Sequence, residues 1–157
     1  MKVVIFNRDQ IEAYAQGDFA AHTALISITD AGWHFSRLEN KPEFLLQLAF
    51  DDVDNDVFID EIGRAPTDDE RRRIEAEYHM LTDEQADEIA DFFLHVKDRA
   101  DLLICQCEHG QSRSAAVAAA VIEYLDKSGI EIFADDNYYP NKMVFKKVLR
   151  QLTKRLG

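Results

Sequence analysis

The segment that most limits how this chain can fold is Leu102–Val121, which reads LLICQCEHGQSRSAAVAAAV. It opens with an apolar run typical of a buried strand. The run of alanine and valine after Ser114 is apolar around the whole circumference of a helix, so that helix must be largely buried. Between the two lies a short turn that contains Gly110. The segment therefore predicts a strand, a turn and a helix in the interior of an α/β fold.

Strand-like and helix-like patterns alternate along the rest of the chain. Strands are predicted at Lys2–Phe6, Ala24–Thr29, Phe44–Phe50 and Leu102–Cys107. Helices are predicted at Asn7–Gln16, Thr67–His79, Thr82–Asp98, from Arg113 to about Lys127, and after Asn141. Gly129 is expected to stop the helix that begins at Arg113. The acidic stretch Asp51–Pro66 has the weakest pattern and is expected to be a mobile loop. At 157 residues the chain predicts one domain over 1–157, with a mainly parallel central sheet flanked by helices and a ligand site at the carboxyl ends of the strands.

The charge balance excludes several classes of partner. Thirty acidic against eighteen basic side chains give a net charge of -12, which disfavours nucleic acid and anionic membrane as partners. The longest apolar run, Ala115–Ile122, is far shorter than the roughly 20 residues that cross a bilayer. The short apolar stretch at the N-terminus does not match a secretory signal, so we expect a cytoplasmic location. The sequence contains no signal for an oligomeric state.

The basic residues are concentrated in the tail. Residues 141–157 carry six basic side chains and no acid, and their apolar residues recur at helical spacing. This pattern predicts an amphipathic helix with a solvated basic face, although contact with a partner or an anionic substrate stays open.

The residues after the central strand are suited to hold a tetrahedral oxyanion. A loop that closes onto a helix N-terminus presents several backbone N–H groups with the helix dipole behind them. Here these groups come from Glu108, His109, Gly110, Gln111, Ser112 and Arg113. The Gly110 backbone can bend where other residues resist, and the Arg113 guanidinium adds a planar two-pronged donor for phosphate oxygens.

The same groups favour a thiolate at Cys107, which predicts a nucleophile at the centre of the loop. Ser114 can donate a hydrogen bond to the sulfur when it departs from phosphorus. The five histidines and two cysteines show no metal-ligand spacing, so no metal is expected. Cys105 is expected to be a buried inert thiol, with a redox partner as the alternative.

This segment resembles the signature loop, Cys-x5-Arg followed by Ser or Thr, of the cysteine-based protein tyrosine and dual-specificity phosphatases. The looser similarity extends from about residue 24 onward, and the chain looks most like the compact bacterial members. The resemblance implies hydrolysis of phosphomonoesters in two steps. Cys107 would attack phosphorus to form a phosphocysteine, an acid would protonate the leaving oxygen, and water would release phosphate. It implies no cofactor, and its substrate would be a phosphorylated protein or a small phosphomonoester.

The acid in this family is an aspartate just after a strand upstream of the loop. Here Phe50-Asp51-Asp52-Val53 ends such a strand, and Asp52 is the predicted acid. Asp51 and Asp54 remain rivals, because spacing from the strand end does not select one residue. The family usually has histidine before the nucleophile, whereas this chain has Gln106, so its thiolate is expected to be less stabilised.

Two other functions stay open at the level of sequence. A pseudophosphatase would bind phosphorylated partners without turnover, which is favoured if no aspartate reaches the leaving oxygen. Sulfur transfer or arsenate reduction would use a similar loop, with Cys105 as the available second thiol. His109 is expected at the rim of the site, and Trp33 and His34 either line its entrance or cap the core.

Overall fold

The elements of the computed structural model, which describes residues 1–155, follow the predicted alternation. Their bounds are β1 (Lys2–Phe6), α1 (Arg8–Tyr14), β2 (Thr23–Thr29), β3 (Phe44–Ala49), α2 (Asp56–Ile62), α3 (Asp68–Glu77), α4 (Asp83–Val96), β4 (Leu102–Gln106), α5 (Arg113–Asp126), α6 (Ile130–Ala134) and α7 (Lys142–Lys154). The predicted α/β fold with a parallel sheet and flanking helices is confirmed.

The four strands pair in the order β1-β4-β2-β3, and every pairing is parallel. Strand β4 therefore lies between β1 and β2, with Cys105 opposite Ile5 on one side and Ile26 on the other. All four carboxyl ends meet at one edge of the sheet. The loop that follows β4 thus emerges in the middle of that edge, between the loops that follow β1 and β2.

Alternate residues of the strands serve two apolar clusters. Ile26, Leu103 and Cys105 face the main core, where they pack with α4, α5 and α7, while Leu25 and Ile104 face the smaller cluster under α1. Helix α5 is buried from Arg113 to Val121, as its alanine-rich sequence predicts. Burial of this helix under the sheet gives the site loop a rigid support.

The predicted helix starts are confirmed. The Asn7–Gln10 and Thr82–Gln85 capping boxes are present, and Thr67 caps α3. Helix α5 ends at Asp126, next to the predicted end at about Lys127, but its left-handed cap is Lys127, at φ 63°, and not the predicted stop Gly129. Gly129 is instead required by close approach, since a Cβ there would lie 2.5 Å from the carbonyl oxygen of Ala119.

The prediction of a loop over Asp51–Pro66 is wrong for its middle. Residues 56–62 form α2, which anchors Val57 and Phe58 in the core and ends at Gly63 with φ 68°. Helix α6 was not predicted either, and none of its residues is buried. Both helices have seven residues or fewer, which is too short for a helical period to show in the sequence.

The tail forms α7, which confirms the predicted amphipathic helix over the described residues. Val144, Val148 and Leu152 are buried in the core. One basic residue departs from the expected solvated face, because Lys147 is buried and its Nζ lies 2.6 Å from Glu75 Oε1. Among residues 1–155, no helix is both long and apolar enough to cross a membrane.

Candidate active site

The nucleophile position lies at the carboxyl edge of the sheet. Cys107 directly follows β4 and is buried, and its Sγ lies 3.0 Å from the hydroxyl oxygen of Ser114 in the first turn of α5. The loop Cys107–Arg113 therefore connects the central strand to the N-terminus of the buried helix. That placement turns the dipole and the free N–H groups of α5 toward the sulfur.

Gly110 allows this loop to pack against the end of β1. Its φ is 66°, and a Cβ at this position would lie 2.8 Å from Asn7 N and 3.0 Å from Phe6 C. Both contacts are to backbone, which cannot rotate away as a side chain can. Any side chain at residue 110 would therefore displace the loop from β1.

One flank of the loop is held by Arg8, the first residue of α1. Its backbone N–H donates to Glu108 O at 3.1 Å, and its Nε donates to Glu108 Oε2 at 2.6 Å. The guanidinium also donates to Thr29 Oγ1 and to His34 O. Arg8 thus joins α1, the site loop and the end of β2, and it offsets the negative charge beside the nucleophile. Sequence reasoning missed this residue, although a cation in a first helical turn opposes the dipole and is a usable signal.

The other flank is held by the segment before α7. Tyr139 N–H donates to Gln111 O at 2.8 Å, and Asn141 N–H donates to Ser112 O at 3.2 Å. The two flanks fix the loop backbone between them. His109 is exposed, as expected for a residue at the rim.

Arg113 is only 3% exposed and is fixed at one nitrogen. Its Nη1 donates to Phe50 O at 2.7 Å and lies 2.8 Å from Asp30 Oδ1. Its Nε is buried and has no hydrogen-bond partner within residues 1–155. A buried donor of this kind carries a desolvation cost that an acceptor on a ligand would relieve. The pairing of Asp30 with Arg113 depends on contacts that the sequence does not reveal.

The three candidate aspartates are separated by what they contact. Asp52 Oδ1 accepts hydrogen bonds from Ser112 Oγ at 2.8 Å and from Asn141 Nδ2 at 2.9 Å. Asp51 Oδ1 accepts from Ala31 N–H, and Asp54 accepts from two N–H groups at the start of α7. Asp52 is therefore the one of the three whose carboxylate touches the loop that carries Cys107.

Gln106 fixes the backbone of the nucleophile from the buried side. Its Oε1 accepts from Ser27 Oγ at 2.5 Å, and its Nε2 donates to Cys107 O at 3.0 Å. The amide thus stands where the family usually has histidine and satisfies buried polar groups of β2 and β4.

Cys105 is completely buried, and both this burial and the neighbouring Cys107 raise the pKa of its thiol. A thiol that stays protonated at neutral pH is a poor nucleophile. These properties favour the inert thiol over the redox partner.

The fold of the chain matches solved phosphatase structures over nearly its whole length. A crystal structure of Tk-PTP in the active form aligns with a TM-score of 0.54 at 17% identity, covering 99% of this chain and 93% of that chain. The chain has the fold of the protein tyrosine phosphatases. PTPMT1 aligns with a TM-score of 0.52 at 14% identity, covering 99% of this chain and 94% of its own.

PTPMT1 in complex with PI(5)P gives a TM-score of 0.50 at 14% identity, over 87% of this chain and 81% of that chain. No protein-family model matches the sequence, and no curated protein matches it either. The likeness to phosphatases that these comparisons show is thus one of fold.

Within this phosphatase fold, the predicted residues Cys107, Arg113 and Ser114 lie on one loop and helix start, and Asp52 reaches the same loop through Ser112. Over residues 1–155, no three His, Cys, Asp or Glu side chains form a group that could hold a metal ion. This arrangement of residues is suited to hold an oxyanion next to the buried Cys107 thiol. The carboxyl group of Asp52 lies beside the same loop.

Proposed function

We propose that this protein is a cysteine-dependent phosphatase that hydrolyses phosphomonoesters through a phosphocysteine. The observation that carries the proposal is the buried Nε of Arg113, which has no hydrogen-bond partner among residues 1–155 and belongs to the residue that ends the loop begun by Cys107. The guanidinium is anchored through Nη1, so a phosphate oxygen at Nε would complete its hydrogen bonds without moving it. The remaining phosphate oxygens would accept hydrogen bonds from the backbone N–H groups of the loop. These N–H groups belong to Glu108, His109, Gly110, Gln111, Ser112 and Arg113.

In the first step the Cys107 thiolate attacks phosphorus and forms the S–P bond while the P–O bond to the leaving group breaks. Asp52, in its protonated form, gives its proton to the leaving oxygen. The contact of Asp52 with Ser112 supports this role, because it holds the carboxyl at the loop where the ester oxygen departs. This contact also favours turnover over binding alone.

In the second step water attacks the phosphocysteine, Asp52 accepts its proton, and phosphate and the Cys107 thiolate are released. The Ser114 hydroxyl, 3.0 Å from Sγ, would donate to the sulfur as negative charge returns to it. Every group required is present in this chain, and the reaction uses no cofactor.

The substrates we propose are phosphorylated proteins, with phosphotyrosine or mixed phospho-amino acids as the phosphorylated residues. Trp33 is 60% exposed and stacks on His34 in the loop after β2. That loop also carries Asp30, the partner of Arg113. An exposed aromatic face next to the phosphate loop supports recognition of a phosphorylated aromatic ring. A cytoplasmic location would keep the Cys107 thiol reduced.

Steady-state hydrolysis of an aryl phosphate tests the proposal, with a chelator present and over about pH 5 to 8. We expect activity that survives the chelator and disappears in Cys107→Ser. Cys105→Ala is the matched control, because it removes the neighbouring thiol and should keep the activity. A folded wild type that binds vanadate but hydrolyses no aryl phosphate would contradict the proposed phosphatase activity. It would favour a protein that binds phosphorylated partners without turnover.

A phosphotyrosine peptide and its phosphoserine counterpart test the substrate class. Trp33→Ala should raise KM for the phosphotyrosine peptide and leave KM for the phosphoserine peptide nearly unchanged. Equal effects on both peptides would contradict a role for Trp33 in recognising the ring.

A further inference from the structure

Asn141, the residue before α7, is only 3% exposed and uses every polar atom of its side chain. Its Oδ1 accepts from Val144 N–H at 3.0 Å and so caps α7. Its Nδ2 donates to Asp52 Oδ1 at 2.9 Å and to Val53 O at 3.1 Å. One amide therefore joins a helix end to the segment that carries the candidate acid.

The cap determines which way this amide points. The oxygen must face the Val144 N–H, since an NH2 group there would meet another donor. The NH2 group is consequently turned toward Asp52, with no freedom to flip. A buried amide held at both ends offers a fixed donor to a carboxylate that is itself exposed.

Both described donors to Asp52, from Ser112 and Asn141, reach the same oxygen, Oδ1. Over residues 1–155 this leaves Oδ2 to carry a transferable proton. Without the amide donor the carboxyl would lie on an exposed segment and rotate among its staggered conformers. Ser112 has a rotatable hydroxyl in the loop itself, so the rigid constraint comes from Asn141.

From this geometry we propose that Asn141 is a positioning residue of the phosphatase reaction, acting through Asp52 to present the Oδ2 proton to the leaving group. The inference rests on the proposed function and deepens it. It separates Asn141 from a purely structural residue, because its effect should depend on how much the leaving group needs a proton.

The test compares two aryl phosphates through kcat/KM, which reports the step that forms the phosphocysteine. Phenyl phosphate has a poor leaving group that needs the acid, whereas dinitrophenyl phosphate leaves without it. Asn141→Ser keeps a good helix cap and removes the amide donor. We expect kcat/KM for phenyl phosphate to fall by about 10- to 100-fold, part of the usual range for a general acid, and dinitrophenyl phosphate to change by less than about threefold.

Two further variants make the test specific. Asp54→Ala removes the contacts of Asp54 with the start of α7 and leaves the Asn141 donor in place. Asp54→Ala should lower the melting temperature at least as much as Asn141→Ser does. It should lower kcat/KM for both substrates by the same factor. In an Asp52→Asn background, Asn141→Ser should have no further effect on phenyl phosphate, because it acts through the missing acid.

Equal losses of kcat/KM on both substrates in Asn141→Ser would overturn the positioning role of Asn141. Losses of kcat/KM that add to those of Asp52→Asn would overturn it as well. In either case, activity of the wild type would still support the proposed phosphatase function. A wild type inactive on both substrates would overturn the proposed function and this inference together.

Discussion

The two halves of the candidate active site are built in different ways. The loop that carries the nucleophile is fixed by Arg8 on one flank and by Tyr139 and Asn141 on the other. The segment that carries Asp52 is exposed and meets that loop through side-chain hydrogen bonds. A site for an oxyanion depends on preorganised donors, whereas a proton donor must exchange its proton with substrate and water. The contrast implies that phosphate binding and proton transfer can be lost separately.

The largest effect should come from the exposed half. Asp52→Asn should lower kcat/KM for phenyl phosphate by roughly 10²- to 10⁴-fold, the usual scale for a general acid, while vanadate still binds. Asp51→Asn is the matched control, and it should do much less because Asp51 accepts from the backbone of Ala31. A reversed order of the two effects in steady-state kinetics would move the acid to Asp51.

In the fixed half, Arg113→Lys should lower kcat/KM by about 10²- to 10³-fold, since lysine lacks the planar pair of donors. The loss should be equal for phenyl and dinitrophenyl phosphate, because the guanidinium holds the phosphate and not the leaving group. Vanadate affinity, measured by calorimetry, should fall with it. A loss confined to phenyl phosphate would remove the distinction between the two halves.

A smaller effect is expected when one flank is released. Arg8→Gln leaves the charge of Glu108 unpaired beside the phosphate, so KM for an aryl phosphate should rise by about tenfold. Adding Glu108→Gln should restore most of the affinity, because the repelling charge is gone. If the double variant is worse than the single one, Arg8 supports the loop by its hydrogen bonds rather than by charge.

The smallest effect concerns the buried thiol under the loop. Because burial raises the pKa of Cys105, iodoacetamide at neutral pH should label Cys107 and spare Cys105, which peptide mass spectrometry can read directly. The unfolded chain ionises this thiol near its ordinary value of 9.0 and the folded chain does not, so stability should fall as pH rises above that value. The melting temperature of Cys105→Ala should lie below that of the wild type at neutral pH because the variant leaves a cavity, and this difference should shrink only at alkaline pH.

The sequence was most informative where apolar pattern and local chemistry coincide. The β4-loop-α5 unit was predicted because Leu102–Val121 combines a buried strand, a turn with glycine and an apolar helix. The predicted helix starts at Asn7 and Thr82 coincide with capping boxes in the structure. Helix α2 was missed because only Val57 and Phe58 are buried in it.

The parts of the site that the sequence did not predict depend on contacts between distant segments. Asp30 meets Arg113, and Arg8 meets Glu108 across a separation of 100 residues. Asn141 could be predicted as a helix cap from its position, but its contact with Asp52 required the fold. Spacing could not select Asp52 over its neighbours for the same reason.

The strand order has a consequence for how the protein is made. The loop after β4 packs on the end of β1, which is synthesised well before it, and on residues 139–141, which are synthesised after it. A nascent chain that has emerged through α6 carries Cys107 but lacks the segment that closes the loop. Contacts over such separations form late and slowly. Catalysis is therefore expected to begin only after residues 139–141 have been synthesised, and a chain truncated directly after α6 should be inert even if its sheet assembles.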